Sequence, residues 1–80
     1  MKLSIYSLRK VLFAGEASLL NCKTIVGEIT VLNNHENYIG VLTKGVAKVI
    51  DDGKKEHFFE VKSGFLEVRD GNEVRCIIEQ

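Results

Sequence analysis

Proline is absent from this chain of 80 residues, so its turns have to be made by glycine, asparagine and aspartate. Cysteine is scarce: Cys22 and Cys76 lie in apolar stretches without a CxxC partner, which excludes a zinc pattern and a disulfide framework. Reduced core thiols are the simplest reading of the two, with a disulfide between them as the alternative. Net charge is missing too, since 11 Lys and Arg offset 11 Asp and Glu. Broad electrostatic attraction to nucleic acid or to an anionic membrane surface is therefore not built into the composition. No apolar run approaches the roughly 20 residues that a helix needs to span a bilayer. GxGxxG, GxxxxGK and GxSxG runs are also missing, which removes phosphate cradles and hydrolase elbows.

What is present fits a small folded domain spanning 1–80, with 45% hydrophobic and 28% charged residues. A chain of this size hides only about 60–65% of the surface its unfolded form exposes, so a partner covering one face suits it. Met1-Lys2-Leu3-Ser4-Ile5-Tyr6 alternates like a strand and not like a signal peptide. A cytoplasmic address follows from the reduced cysteines.

Period-two patterning dominates from residue 28 onward. Val46, Lys48 and Ile50 alternate with Ala47 and Val49, and Asp51-Asp52-Gly53 supplies a hairpin signal with glycine as the positive-φ residue. His57, Phe59 and Val61 then oppose Phe58, Glu60 and Lys62. Ser63-Gly64 breaks the run, after which Leu66 and Val68 point inward and Glu67 and Arg69 outward. Asp70-Gly71-Asn72 forms a second hairpin, and Val74, Cys76 and Ile78 alternate with Arg75, Ile77 and Glu79. Between Leu3–Leu8 and Ala17–Cys22, Val11–Gly15 reads as a bend closing a hairpin. The expectation is an all-β fold, a small antiparallel β-sandwich of about eight to ten short strands.

Candidate sites are few. His35, with Glu36 beside it and Glu28 seven residues back, invites an acid–base pair or a metal site, yet the spacing matches no zinc pattern. A turn histidine capping local backbone accounts for it better, and His57 reads as a packing residue at the core edge. Lys54, Lys55 and Lys62 with Phe58, Phe59 and Phe65 could bind single-stranded nucleic acid. Asp51, Asp52, Glu56, Glu60 and Glu67 are interleaved with them and cancel the field within about 8–10 Å. Tyr38, Val41, Phe58, Phe65 and Ile77 fall on outward positions, which suggests a face covered by a partner; under a different register some of them would be core.

Phe13-x-Gly15, Gly27-Glu28, Leu32-x-x-His35, Leu42-x-x-Gly45 and Ser63-Gly64-Phe65-Leu66-Glu67-Val68 occur in an order and spacing that resembles the N-terminal β-sandwich of the ε subunit of F-type ATP synthases. The resemblance implies a non-catalytic rotor subunit in the central stalk that couples proton or sodium-ion flow to ATP synthesis. Its implied partners are the γ subunit and the c-ring, with no cofactor, no metal, no nucleic acid and no direct insertion into the membrane. Its implied location is peripheral, on the cytoplasmic side. Carried over by position, Glu28, Asn33, Asn34 and His35 face the c-ring; the apolar second face, with Tyr38, Val41, Phe58 and Phe65 as its candidates, would pack on γ. Two departures stand out. The corner that is usually Pro-Gly is Asn33-Asn34 here, which tolerates the positive φ required. The usual C-terminal helical pair does not follow, so the expectation is a subunit that couples without that inhibitory element. The rival readings are a free-standing protein- or oligonucleotide-binding small β-barrel, and a small enzyme using His35 and Glu28.

Overall fold

Side chains alternate between core and solvent along eight strands: β1 (Lys2–Tyr6), β2 (Val11–Thr24), β3 (Gly27–Leu32), β4 (Tyr38–Leu42), β5 (Gly45–Asp51), β6 (Glu56–Val61), β7 (Ser63–Arg69) and β8 (Glu73–Glu79). The computed structural model describes residues Met1–Gln80. In one layer the order is β4-β7-β8-β1 and then the first half of β2. In the other it is β3, the second half of β2, β5 and β6. β4 rejoins the end of β2 through the pair Thr24 and Leu42. The fold is the expected all-β sandwich, and its two layers belong to one hydrogen-bonded sheet.

β2 belongs to both layers because two irregularities let it bend. Against β1 the pairing skips Leu12, and against β5 it skips Ser18. An extra residue in one strand raises its local twist and re-aims the side chains that follow. Gly15 pairs with Leu3 and the half-buried Phe13 with Ile5, and Ala17 is the first fully buried residue of the strand. Beyond the second bulge, Leu20, Cys22 and Thr24 are the buried positions. The shift by one residue is what turns both halves of the strand toward the same interior.

That interior holds 16 buried apolar residues, drawn from Met1 and all eight strands. Leu3, Leu20, Val31, Val49 and Leu66 are fully inaccessible. Burying a side chain of this size stabilises the fold by about 1.5–3 kcal/mol. The alternation read for β5, β6, β7 and β8 holds in the burial of Ala47, Val49, Val61, Leu66, Val68, Val74, Cys76 and Ile78.

Four local expectations are corrected. Val11–Gly15 is strand, and the β1–β2 turn is Ser7–Lys10, where the Ser7 N–H donates to the Lys10 carbonyl at 2.9 Å. One pairing, β1 with β8, is parallel, because both chain ends run the same way along the layer. Ser63-Gly64 does not break the run: only Lys62 separates β6 from β7, at the corner where the chain changes layer. In the β5–β6 hairpin the positive-φ residue is Lys54 (φ 64°), not Gly53. The Lys54 N–H donates to the Asp51 carbonyl and the Asp51 N–H to the Lys55 carbonyl, both at 2.9 Å. That bonding makes a three-residue loop whose last position is left-handed, so the glycine sits one place early.

Candidate functional site

Along β4, Gly40 and Leu42 point inward, which sends Ile39 and Val41 outward. Lateral pairing then assembles one row across the outside of a layer: Val41 opposite Phe65, Phe65 opposite Ile77, Ile77 opposite Tyr6, and Tyr6 opposite Val11. Ile39 is 76% exposed, Phe65 59%, Ile77 48% and Val41 40%. A shallow groove between Ile39, Phe65 and Ile77 is edged by Glu67 and Arg75. Leu8 extends the patch beside Ile77, and the Ile25 N–H, donating to the Val41 carbonyl at 3.0 Å, brings the β2–β3 turn to its border. An apolar stripe crossing five strands is unlike scattered single exposed residues, and contiguous patches of this kind are a general feature of contact surfaces.

Two of the residues expected on this face lie elsewhere. Tyr38 shares the inward side of β4, half-buried, and its ring covers Gly40, where an added Cβ would come within 2.5 Å of it. Phe58 is exposed on β6 in the other layer, opposite Lys48. Tyr6 and Val11, missed in the sequence, belong to the row, and Ile39, also missed, lies next to it; once Leu42 is taken as inward, strand parity alone puts Ile39 on the same side as Val41.

Glu28 and the Asn33-Asn34-His35 corner occupy opposite ends of β3, roughly 17 Å apart along the strand. They are therefore not a paired site. β3 bonds only to β2 and leaves its outer edge open. The Glu28 carboxylate accepts from Asn21 Nδ2 at 2.8 Å, and the same nitrogen donates to Thr30 Oγ1 at 2.9 Å. At the other end Asn34 adopts the left-handed conformation (φ 61°) that asparagine was expected to tolerate. His35 Nδ1 donates to the Glu36 carbonyl at 2.7 Å, and its ring stands edge-on to Tyr38 with centroids 6.4 Å apart. The imidazole thus caps local backbone.

The other histidine is tied into the β5–β6 hairpin. His57 Nε2 donates to Asp51 Oδ2 at 2.8 Å, and the Lys55 N–H donates to Asp51 Oδ1 at 2.9 Å. These bonds, the His57 one foremost, hold the Asp51 carboxyl below its ordinary range. The His57 ring packs edge-on against Phe13 at 5.2 Å. Cys22 and Cys76 are free and buried. Burial pushes the Cys22 thiol up to about 11, and burial first, then Cys22, pushes the Cys76 thiol further up. Neither has the lowered pKa of a reactive cysteine.

The molecule is thus a packed sandwich with an apolar stripe on one layer and a polar strand edge on the other. Comparison with known proteins gives it a family. Residues 1–80 match the family described as "ATP synthase, Delta/Epsilon chain, beta-sandwich domain", and the chain belongs to that family. The ATP synthase epsilon chain of Clostridium novyi is 37% identical over 67 residues, covering 84% of this chain and 51% of that one. The epsilon chain of Clostridium perfringens is 26% identical over 76 residues, covering 95% and 57%. The chain thus spans about half the length of the curated relatives it matches. Among solved structures, a chain of the Euglena gracilis mitochondrial ATP synthase superposes over 100% of this chain and 51% of its own, with a TM-score of 0.92 at 23% identity. A chain from the Tetrahymena thermophila mitochondrial ATP synthase central stalk and c-ring covers 100% and 63%, with a TM-score of 0.84 at 18% identity. At those identities the likeness is one of fold.

Proposed function

We propose that residues 1–80 act as one non-catalytic domain of a central-stalk subunit in an F-type ATP synthase, passing torque between the ion-driven ring and the catalytic head. The apolar row Val41–Phe65–Ile77–Tyr6–Val11, with Ile39 beside it, carries this reading. A stripe of that chemistry suits a stable, desolvated contact with a shaft, and we assign it to the γ subunit. The open edge of β3 runs from Glu28 to Asn33, Asn34 and His35 and is polar at both ends. Such an edge suits a wet contact with the polar loops of a c-ring, where charge and hydrogen bonds set register. The domain then sits peripherally against the ring, on the side where the catalytic head lies, without inserting into the membrane.

Single-cysteine variants carrying a short photoactivatable crosslinker test both assignments in the assembled enzyme. Positions 41, 65 and 77 are expected to join γ, and positions 28 and 35 to join the ring subunit. Position 58, on the other layer, is expected to join neither. Crosslinks from 28 to the ring but from 35 to γ would confine the ring contact to the β2–β3 turn. Absence of any γ adduct from 41, 65 and 77 would end the proposal for the apolar row.

A further inference from the structure

We propose that Asn72, in the β7–β8 hairpin, is the positioning residue that holds the Asn33-Asn34-His35 corner in its docking conformation; this rests on reading that corner as a contact surface. The corner contains neither proline nor glycine to set its backbone, and Asn34 is nonetheless left-handed at φ 61°. A connection of that composition needs an outside restraint to keep one geometry. Asn72 supplies it from a hairpin far away in sequence. Its Oδ1 accepts the Asn34 N–H at 2.7 Å, and its Nδ2 donates to Asn33 Oδ1 over a longer 3.4 Å.

A carboxamide is suited to this because it carries an acceptor and a donor on one carbon, so a single side chain grips two consecutive residues. The clamp is itself anchored. Asn72 is half-buried and left-handed (φ 59°), following Gly71 (φ 80°), and its carbonyl accepts the Lys2 N–H at 2.9 Å. Asn33 Oδ1 also accepts from the Met1 ammonium, which donates to the Ala17 carbonyl at 2.8 Å. His35 comes next along the chain, and its own bonds to Glu36 and Tyr38 are local. The long-range hydrogen bonds that hold the corner therefore come from Asn72 and Met1.

Two substitutions separate this role from ordinary stabilisation. N72G keeps a residue suited to positive φ and deletes the clamp, while N72D keeps the acceptor for Asn34. Amide hydrogen exchange read residue by residue should show the Asn34 N–H exchanging about three- to tenfold faster in N72G, with the amides of Val49 and Leu66 unchanged. N72D should retain most of the protection. In N72G, docking onto the assembled ring and γ should weaken by a similar factor, and N72D should restore it. Unchanged exchange at Asn34 in N72G, or an equal rise at Val49 and Leu66, would overturn the inference. Faster Asn34 exchange with docking at full strength would leave Asn72's hold on the corner standing and remove the corner from the contact surface.

Discussion

Phe65 and Ile77 face each other across the β7–β8 ladder on the outside of the sheet, 59% and 48% exposed. Cross-strand pairs of this kind usually earn their place by packing toward a core, and here the core lies on the other side. Replacing both with serine should leave the folded monomer within about 1 kcal/mol of the parent. Loss of a central aromatic anchor should weaken the complex with γ by about 30-fold or more. Urea denaturation of the free domain and titration with γ measure the two effects separately.

Gly64 sits where an added Cβ would lie 2.3 Å from the Ile77 carbonyl oxygen and 3.0 Å from the Ile78 Cα. Those atoms are backbone and cannot step aside without pulling β8 from its partner. Gly64→Ala should cost on the order of 2–3 kcal/mol, lowering the thermal midpoint by about 10 °C or more in a domain of this size. A midpoint unchanged in a calorimetric scan would contradict the close approach.

The β5–β6 turn makes an opposite pair of predictions. Lys54 holds φ 64° and Gly53 does not hold a positive φ. Lys54→Gly should therefore stabilise the fold by about 0.5 kcal/mol, the relief of a left-handed side chain less the added freedom of the unfolded chain. Gly53→Ala should be close to neutral, since its Cβ would meet only Asp51 Oδ1 at 3.4 Å. Reversal of that order in denaturation midpoints would mean the turn has a different geometry.

Asp51 has a folded pKa below its ordinary value, through His57 first and the Lys55 N–H second. A carboxyl depressed on folding stabilises the native state above its unfolded pKa of about 3.9. That contribution drains away as pH falls through the lower folded value. Comparing the parent with D51N, the stability difference should be constant at neutral pH and shrink below about pH 4. A difference that instead grows on acidification would reverse the assigned sign.

Cys22 and Cys76 are 1% and 2% exposed, with both thiols pushed upward by burial. Neither should react with a thiol-directed chromogenic disulfide at pH 8 in the native protein, and both should react in denaturant. Rapid labelling without denaturant would show that the core opens easily.

Much of this was legible in the chain because the code is local. Asp70-Gly71-Asn72 and the alternation through Val74, Cys76 and Ile78 need only neighbouring residues to be read. The corner Asn33-Asn34 likewise announced a positive φ that Asn34 adopts. What escaped depends on pairing. Val11–Gly15 looks like a bend because its apolar run has no clean period, and it stays extended because bulges at Leu12 and Ser18 absorb the mismatch. Tyr38 was placed outside together with Val41, though the two differ in strand parity; Tyr38 shares the side of Gly40 and Leu42, and its ring takes the space a side chain at position 40 would fill. Phe58 and Phe65 look equivalent in sequence, and only layer assignment separates them. Asn72 gave no signal beyond its turn, since its partners lie 38 and 39 positions away.

The parallel ladder joining β1 to β8 couples Lys2–Tyr6 with Glu73–Ile77. During synthesis the strand that flanks Leu3 and Ile5 on one side emerges about seventy positions after them. Contacts so remote in order slow folding and lengthen exposure of greasy surface. A ribosome stalled before residue 73 would therefore display an unfinished sheet edge, a natural target for a chaperone that shelters nascent polypeptides.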